Sequence, residues 1–157
     1  MKHRRPKAAV IALVQKHRPP RIAMTLVAMA ALLQLLVPLD ALPSVPLTAA
    51  FVGGLGFSLM LRAWWLFRIE NTAICPTART TTLITRDVYR LTRNPVYLGM
   101  VMMLGAIALF AGALPFYVAA ILYFLLLNAV FCPYEEQKLR ATFGEYEDYA
   151  SRVRRWI

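Results

Sequence analysis

Long apolar stretches, broken at proline and charge, set the pattern of this chain. From Ile22 to Leu39 the polar members are Thr25 and Gln34, and Pro38, Asp40 and Pro43 close the run. A second run spans Pro46 to Leu66 and carries Trp64-Trp65 at its end, an aromatic pair of the kind that settles at a membrane interface. From Val96 to Phe131 come 36 residues without a charge. A bilayer crossing takes about 20 mostly apolar residues, because unbonded backbone groups are not tolerated in hydrocarbon. The first two runs each fit one crossing. The third is too long for one, and Gly112-Ala113-Leu114-Pro115 near its middle offers a C-cap glycine and a helix-starting proline, so it predicts a hairpin of two short crossings.

The expected fold is all-α: an integral membrane four-helix bundle with a cytoplasmic loop and a C-terminal amphipathic helix. Residues 1–157 form one membrane domain. Within it lie a basic interfacial arm (1–21), spans one and two (22–69), a cytoplasmic loop (70–95), the hairpin (96–131) and a C-terminal cytoplasmic helix (132–157). Arg62, one turn before the end of span two, is placed to snorkel toward headgroups. Gly53, Gly54 and Gly56 thin one side of that span and allow close packing.

Composition agrees, being 59% hydrophobic with a mean hydropathy of +0.53. The net charge of +10 flanks the apolar runs, which points to an anionic membrane surface and not to nucleic acid. Lysines and arginines crowd the arm up to Arg21, the middle loop (Arg68, Arg79, Arg86, Arg90, Arg93) and the tail, while the two opposite loops carry none. Both termini and the middle loop are therefore expected in the cytoplasm. The two cysteines, Cys75 and Cys132, form no CxxC motif, and the two histidines, His3 and His17, sit in the arm. Neither a metal site nor a Ser-His-Asp triad has the residues it needs.

Two cytoplasmic segments exceed what a simple bundle requires. Locally, Asn94-Pro95 reads as an N-cap and first helical residue, and Arg93 as an interfacial anchor. Glu135-Glu136 opens the last helix, where acids complement the dipole. Phe143-Gly144 reads as a helix stop, and Tyr146 and Tyr149 as a belt on the membrane surface. Taken together, Arg93-Asn94-Pro95-Val96-Tyr97-Leu98-Gly99 before the hairpin and Glu135-Glu136-x-x-Leu139-x-x-x-Phe143-Gly144-x-Tyr146-x-x-Tyr149-x-x-x-Val153 after it resemble the isoprenylcysteine carboxyl methyltransferases and their bacterial relatives, cousins of the phospholipid N-methyltransferases. The resemblance covers Thr81 to Ile157.

That resemblance implies an S-adenosylmethionine-dependent methyltransferase in a bacterial inner membrane, acting on a lipophilic or small carboxylate, thiol or amine, with membrane lipids as its other partners. It implies a cofactor site on Thr82, Leu83, Ile84, Tyr89, Asn94, Pro95, Val96, Tyr97 and Glu136, and chemistry at Glu135 and Arg93. An amine acceptor needs a base, and Glu135 is the candidate. Three positions depart from the family pattern: Asp87-Val88 replaces a Gly-Pro or Gly-Val turn, Phe131 replaces a basic residue, and Asn94 replaces histidine. The last two argue against a prenylcysteine carboxylate. Two other classes compete: a membrane reductase of related architecture using a nicotinamide cofactor, and a non-enzymatic four-span transporter or scaffold. Against transport, the spans hold Arg62 and Gln34 but no carboxylate.

Overall fold

A computed structural model describes residues 18–40, 42–71 and 81–157. Most of the basic arm, with both histidines, and the loop stretch holding Cys75 and Arg79 lie outside the described residues.

Proline starts the long helices. α1 (Pro19–Leu36), α2 (Pro46–Ile69), α3 (Pro95–Ala111) and α4 (Leu114–Leu126) each carry it in their first two positions, where its missing N–H costs nothing. α1 stops where Val37, the residue before Pro38, turns extended, as the proline ring requires. α3 stops at Gly112, which takes φ +66° and donates its N–H to Ala108. A Cβ there would run into the Leu42 carbonyl, so glycine is required twice over. The α1–α2 loop is stitched to this corner: Leu42 N–H bonds Gly112 O, Val45 N–H bonds Leu109 O, and Leu114 N–H bonds Leu39 O.

The C-terminal part differs from expectation. No new helix begins at Cys132-Pro133: the helix runs unbroken from Leu114 to Thr142. Inside it, a π turn (Leu127–Phe131) joins α4 to α5 (Cys132–Thr142). Pro133 would clash with the carbonyl four residues back in a regular helix; the wider turn absorbs it. Glu135 and Glu136 consequently do not open a helix, and their expected role as dipole partners at a free N-terminus falls away. A separate short helix, α6 (Tyr146–Arg152), follows the stop at Phe143-Gly144.

Among the described residues there is no strand, only an isolated bridge between Asp40 and Ala113. Three helices are long and apolar enough to cross a membrane, Pro19–Leu36, Pro46–Ile69 and Leu114–Thr142; α3, at 17 residues, is a shorter apolar helix. Side chains such as Met24, Leu35, Leu47 and Phe51 stand two-thirds or more exposed on their outer faces, where lipid is their natural solvent. The packing order is α2–α3–α4–α1, so α1 and α2, consecutive in the chain, are not principal neighbours.

α2 and α3 make the closest crossing, glycine on glycine. A Cβ on Gly56 would sit 2.8 Å from Gly99 O, and one on Gly99 would sit 2.5 Å from Gly56 O. Of the three glycines expected to thin span two, Gly56 and Gly53 face α3, whereas Gly54 meets nothing within 4 Å.

Candidate active site

The hairpin turn lies at one end of the molecule, so the two motifs, at the start of α3 and in α5, lie together at its open end. Tyr97, one turn into α3, is buried among Ala23, Tyr123, Leu127 and Phe131. Its hydroxyl donates to Glu135 Oε1 at 2.5 Å. The two residues expected to sit at the chemistry and the cofactor therefore touch across the hairpin.

Glu136 points the other way and is 5% exposed. Arg155 grips it with two bonds, Nε to Oε1 and Nη2 to Oε2, both 2.8 Å. Arg93 Nη2 lies 3.5 Å from it and Arg140 Nη2 4.0 Å. A buried carboxylate without partners would cost several kcal/mol, and the three guanidiniums gathered here offset that cost. Arg93 is thus an interior residue and not a simple interfacial anchor. Its Nε is buried and has no hydrogen-bond partner.

Asn94 occupies the N-cap position, but its side chain makes no cap bond. Its Nδ2 donates instead to Arg155 O at 3.3 Å, beside Thr92 Oγ1 at 2.8 Å on the same carbonyl. Arg93 N–H bonds Arg154 O at 3.0 Å. An extended strap, Val153–Trp156, thereby runs along the entry to α3. Pro95 is buried, and Val96 packs on the cluster of Ala63, Leu66, Ile84 and Val88.

The loop ahead of α3 is built on Asp87, which adopts φ +60°. The turn that usually carries glycine survives with an aspartate in the left-handed region, a conformation Asp tolerates better than most residues. Its carboxylate accepts from Val88 N–H at 2.8 Å and from Arg62 Nε at 2.9 Å. Arg62 therefore reaches the loop and does not simply snorkel to headgroups. Hydrogen bonding to Arg62 holds the Asp87 carboxyl below its ordinary range. A second tie joins Arg86 to Glu70.

Within the loop, Thr82 and Leu83 are half-buried, while the Ile84 side chain is committed to the α2 cluster. Tyr89 stands edge-on to Phe67, its carbonyl accepting Tyr149 OH at 2.7 Å. Burial, followed by the charge of Glu135, pushes the Tyr89 phenol up. Tyr146 and Tyr149, expected on the membrane surface, are 1% and 4% exposed and pack edge-to-face inside the site. Arg140 lies over the Tyr146 ring at 5.5 Å, and burial pushes that phenol up to about 12.

Three participants escaped sequence reasoning: Arg155, Asn128 and Trp156. Asn128 Oδ1 accepts from Trp156 Nε1 at 3.0 Å and from Arg155 Nη1 at 3.2 Å. For Asn128 the available signal was a lone asparagine in an otherwise apolar run; nothing marks Arg155 among the arginines of the tail. Among the described residues no cluster of His, Cys, Asp or Glu could hold a metal ion.

Comparison with known sequences sets this geometry in a family. The profile of the family described as phospholipid methyltransferase matches residues 47–146, which hold α2, the loop, the hairpin and α5. No curated protein and no solved structure matches the chain. The matched segment covers more than half of the sequence and includes both the Asn94-Pro95-Val96-Tyr97 and the Glu135-Glu136 elements, so the chain belongs to the phospholipid methyltransferase family and is a membrane methyltransferase.

Proposed function

We propose that this protein transfers a methyl group from S-adenosylmethionine to a lipid amine at the membrane surface, with both termini and the site on the cytoplasmic face. The observation that carries the choice of an amine is the Tyr97–Glu135 pair at the open end of the hairpin. A protonated product nitrogen must shed a proton, and a carboxylate held by one phenolic hydroxyl has a free oxygen to take it. A carboxylate or thiolate acceptor would need no such group.

The residues present fit the methyl donor. Its carboxylate calls for a buried cationic donor, and Arg93 Nε is one without a partner. Tyr89, Tyr97 and the backbone of Thr82, Leu83 and Ile84 would flank it, while Asn94, Pro95 and Val96 hold the shape of the α3 entry and Glu136 holds Arg93. When bound, the donor would supply a methyl carbon on a sulfonium, with the neutral thioether as the leaving group for an attacking nitrogen. Glu135 then accepts the nitrogen's proton, Tyr97 keeps that carboxylate aimed, and the α3–α5 walls exclude water. Placement of the reacting atoms accounts for most of such a rate, since an in-line displacement gains chiefly from orientation. Neither the nicotinamide reductase nor the transporter or scaffold gains any support from the family match.

The test is purified protein with tritiated S-adenosylmethionine and vesicles containing an aminophospholipid. The wild type is expected to label lipid. Glu135→Gln is expected to cut turnover by roughly 100-fold or more, the usual size of a lost general base, with donor binding in equilibrium dialysis unchanged within severalfold. Full activity in the variant removes Glu135 from the chemistry. No labelled lipid and no donor binding by the wild type overturns the assignment.

A further inference from the structure

Pro133 leaves a defect. In the π turn, Cys132 N–H bonds back five residues to Leu127 O. The next N–H along, which would serve Asn128 O in the same pattern, belongs to Pro133 and does not exist. The Asn128 carbonyl is thus left without a helical partner in the last turn of the apolar hairpin arm, which ends at Phe131, and an unpaired group there is still expensive. Arg155 fills the gap: its Nη1 stands 3.4 Å from Asn128 O and 3.2 Å from Asn128 Oδ1.

The other edge of the same guanidinium holds Glu136 by two bonds of 2.8 Å, so all three nitrogens are bound to the α4–α5 helix. A planar fork makes this possible; the single ammonium of lysine cannot span both sites. The main chain of the same residue faces the opposite way. Arg155 O receives Thr92 Oγ1 and Asn94 Nδ2, and Arg154 O receives Arg93 N–H. One residue therefore clasps α5 with its side chain and the α3 entry with its backbone. The hairpin turn ties these helices at the far end, and its open end is where the site needs a second tie.

We propose that Arg155 is a positioning residue: it cross-ties the open end of the hairpin and so fixes the distance between Tyr97 and Glu135, and with it the register of acceptor and donor. The link to catalysis rests on the methyltransferase reading above; the cross-tie itself does not. Arg155 lies beyond the segment matched by the family profile, residues 47–146. Glu136 keeps Arg93 and Arg140 when Arg155 is replaced, so the fold retains its charge balance.

Two measurements on the full chain test this. The first places spin labels at Leu91, which is 65% exposed, and at Ala141, also exposed, in a Cys75→Ser background, Cys132 being buried. Arg155→Lys is expected to broaden the distance distribution across the open end, with the detergent melting temperature little changed. The second is methyl transfer. Arg155→Lys should lower kcat by roughly 10- to 100-fold, the scale of a positional error of about 1 Å, with donor affinity within threefold. Pro133→Ala restores an N–H for Asn128 and removes part of what Arg155 supplies, so the Pro133→Ala, Arg155→Lys double variant should be no slower than the slower single. An unchanged distance distribution overturns the cross-tie, and a broadened one with wild-type kcat or a fully additive cycle overturns its role in catalysis. If the wild type transfers no methyl group, the methyltransferase reading fails, and the distance measurement alone decides the cross-tie.

Discussion

Gly99→Ala should be among the most damaging single-methyl changes in this protein. Its Cβ would lie 2.5 Å from the Gly56 carbonyl oxygen and 2.5 Å from Met60 Cγ. Met60 can swing aside, but the Gly56 carbonyl is helical backbone and cannot. Ordinary heavy-atom contact begins near 3.5 Å, so α2 and α3 would have to part by about 1 Å at this crossing. Overpacking of this kind costs about 1–3 kcal/mol, or roughly 5- to 150-fold in the folding equilibrium. Because Gly99 lies only two residues after Tyr97, the displacement also reaches the Glu135 contact, and methyl transfer should fall with stability. The assay is thermal or SDS unfolding in matched detergent micelles, with Gly54→Ala as control. A Cβ at Gly54 meets nothing within 4 Å, so that change should be neutral or slightly stabilising. If Gly99→Ala melts with the wild type, or if both alanines cost the same, the glycine-on-glycine crossing does not hold these helices.

At Asp87, alanine should be worse than glycine: Asp87→Ala keeps the φ of +60° and loses the Arg62 bond, whereas Asp87→Gly loses the bond but relieves backbone strain of about 1–3 kcal/mol, a ranking readable from loop proteolysis rates. The same carboxyl sets an acid limit. Its folded pKa is held below the unfolded value of about 3.9, so its contribution is complete above that value and is lost as pH falls through the folded one. Loop proteolysis should therefore rise at the acid end in the wild type, and Arg62→Gln should flatten that rise; identical profiles would refute the pairing.

Hydropathy sufficed to place the first three helices to within a few residues, because a bilayer imposes a length and proline marks the starts; the fourth runs past its expected end at Phe131 to Thr142. Gly112 and Pro115 were legible for the same local reason. The meeting of Tyr97 with Glu135 was foreseeable only as a return of both motifs to one end. What stayed hidden depends on partners distant in sequence. Pro133 reads as a helix start, and only the π turn shows that the helix passes through it. Tyr146 and Tyr149 have the spacing of a surface belt, yet their burial depends on where the loop at Tyr89 lies. Arg155 is one arginine in a basic tail until the unpaired carbonyl of Asn128 selects it.

The unbroken helix from Leu114 to Thr142 also works as a depth gauge. Its 29 residues are about 44 Å long at 1.5 Å each, against a hydrocarbon core of about 30 Å. With Leu114 set at one edge of that core, about 20 residues bring the helix to the stretch holding Pro133, and Glu135 and Glu136 come within the next turn, at the height of phosphates and headgroup nitrogens. For the lipid amine proposed as acceptor, this height would mean that it need not be lifted from its leaflet to meet Glu135. Sideways diffusion along the bilayer would deliver such a headgroup at the right height, a guide that a water-soluble molecule of the same chemistry lacks.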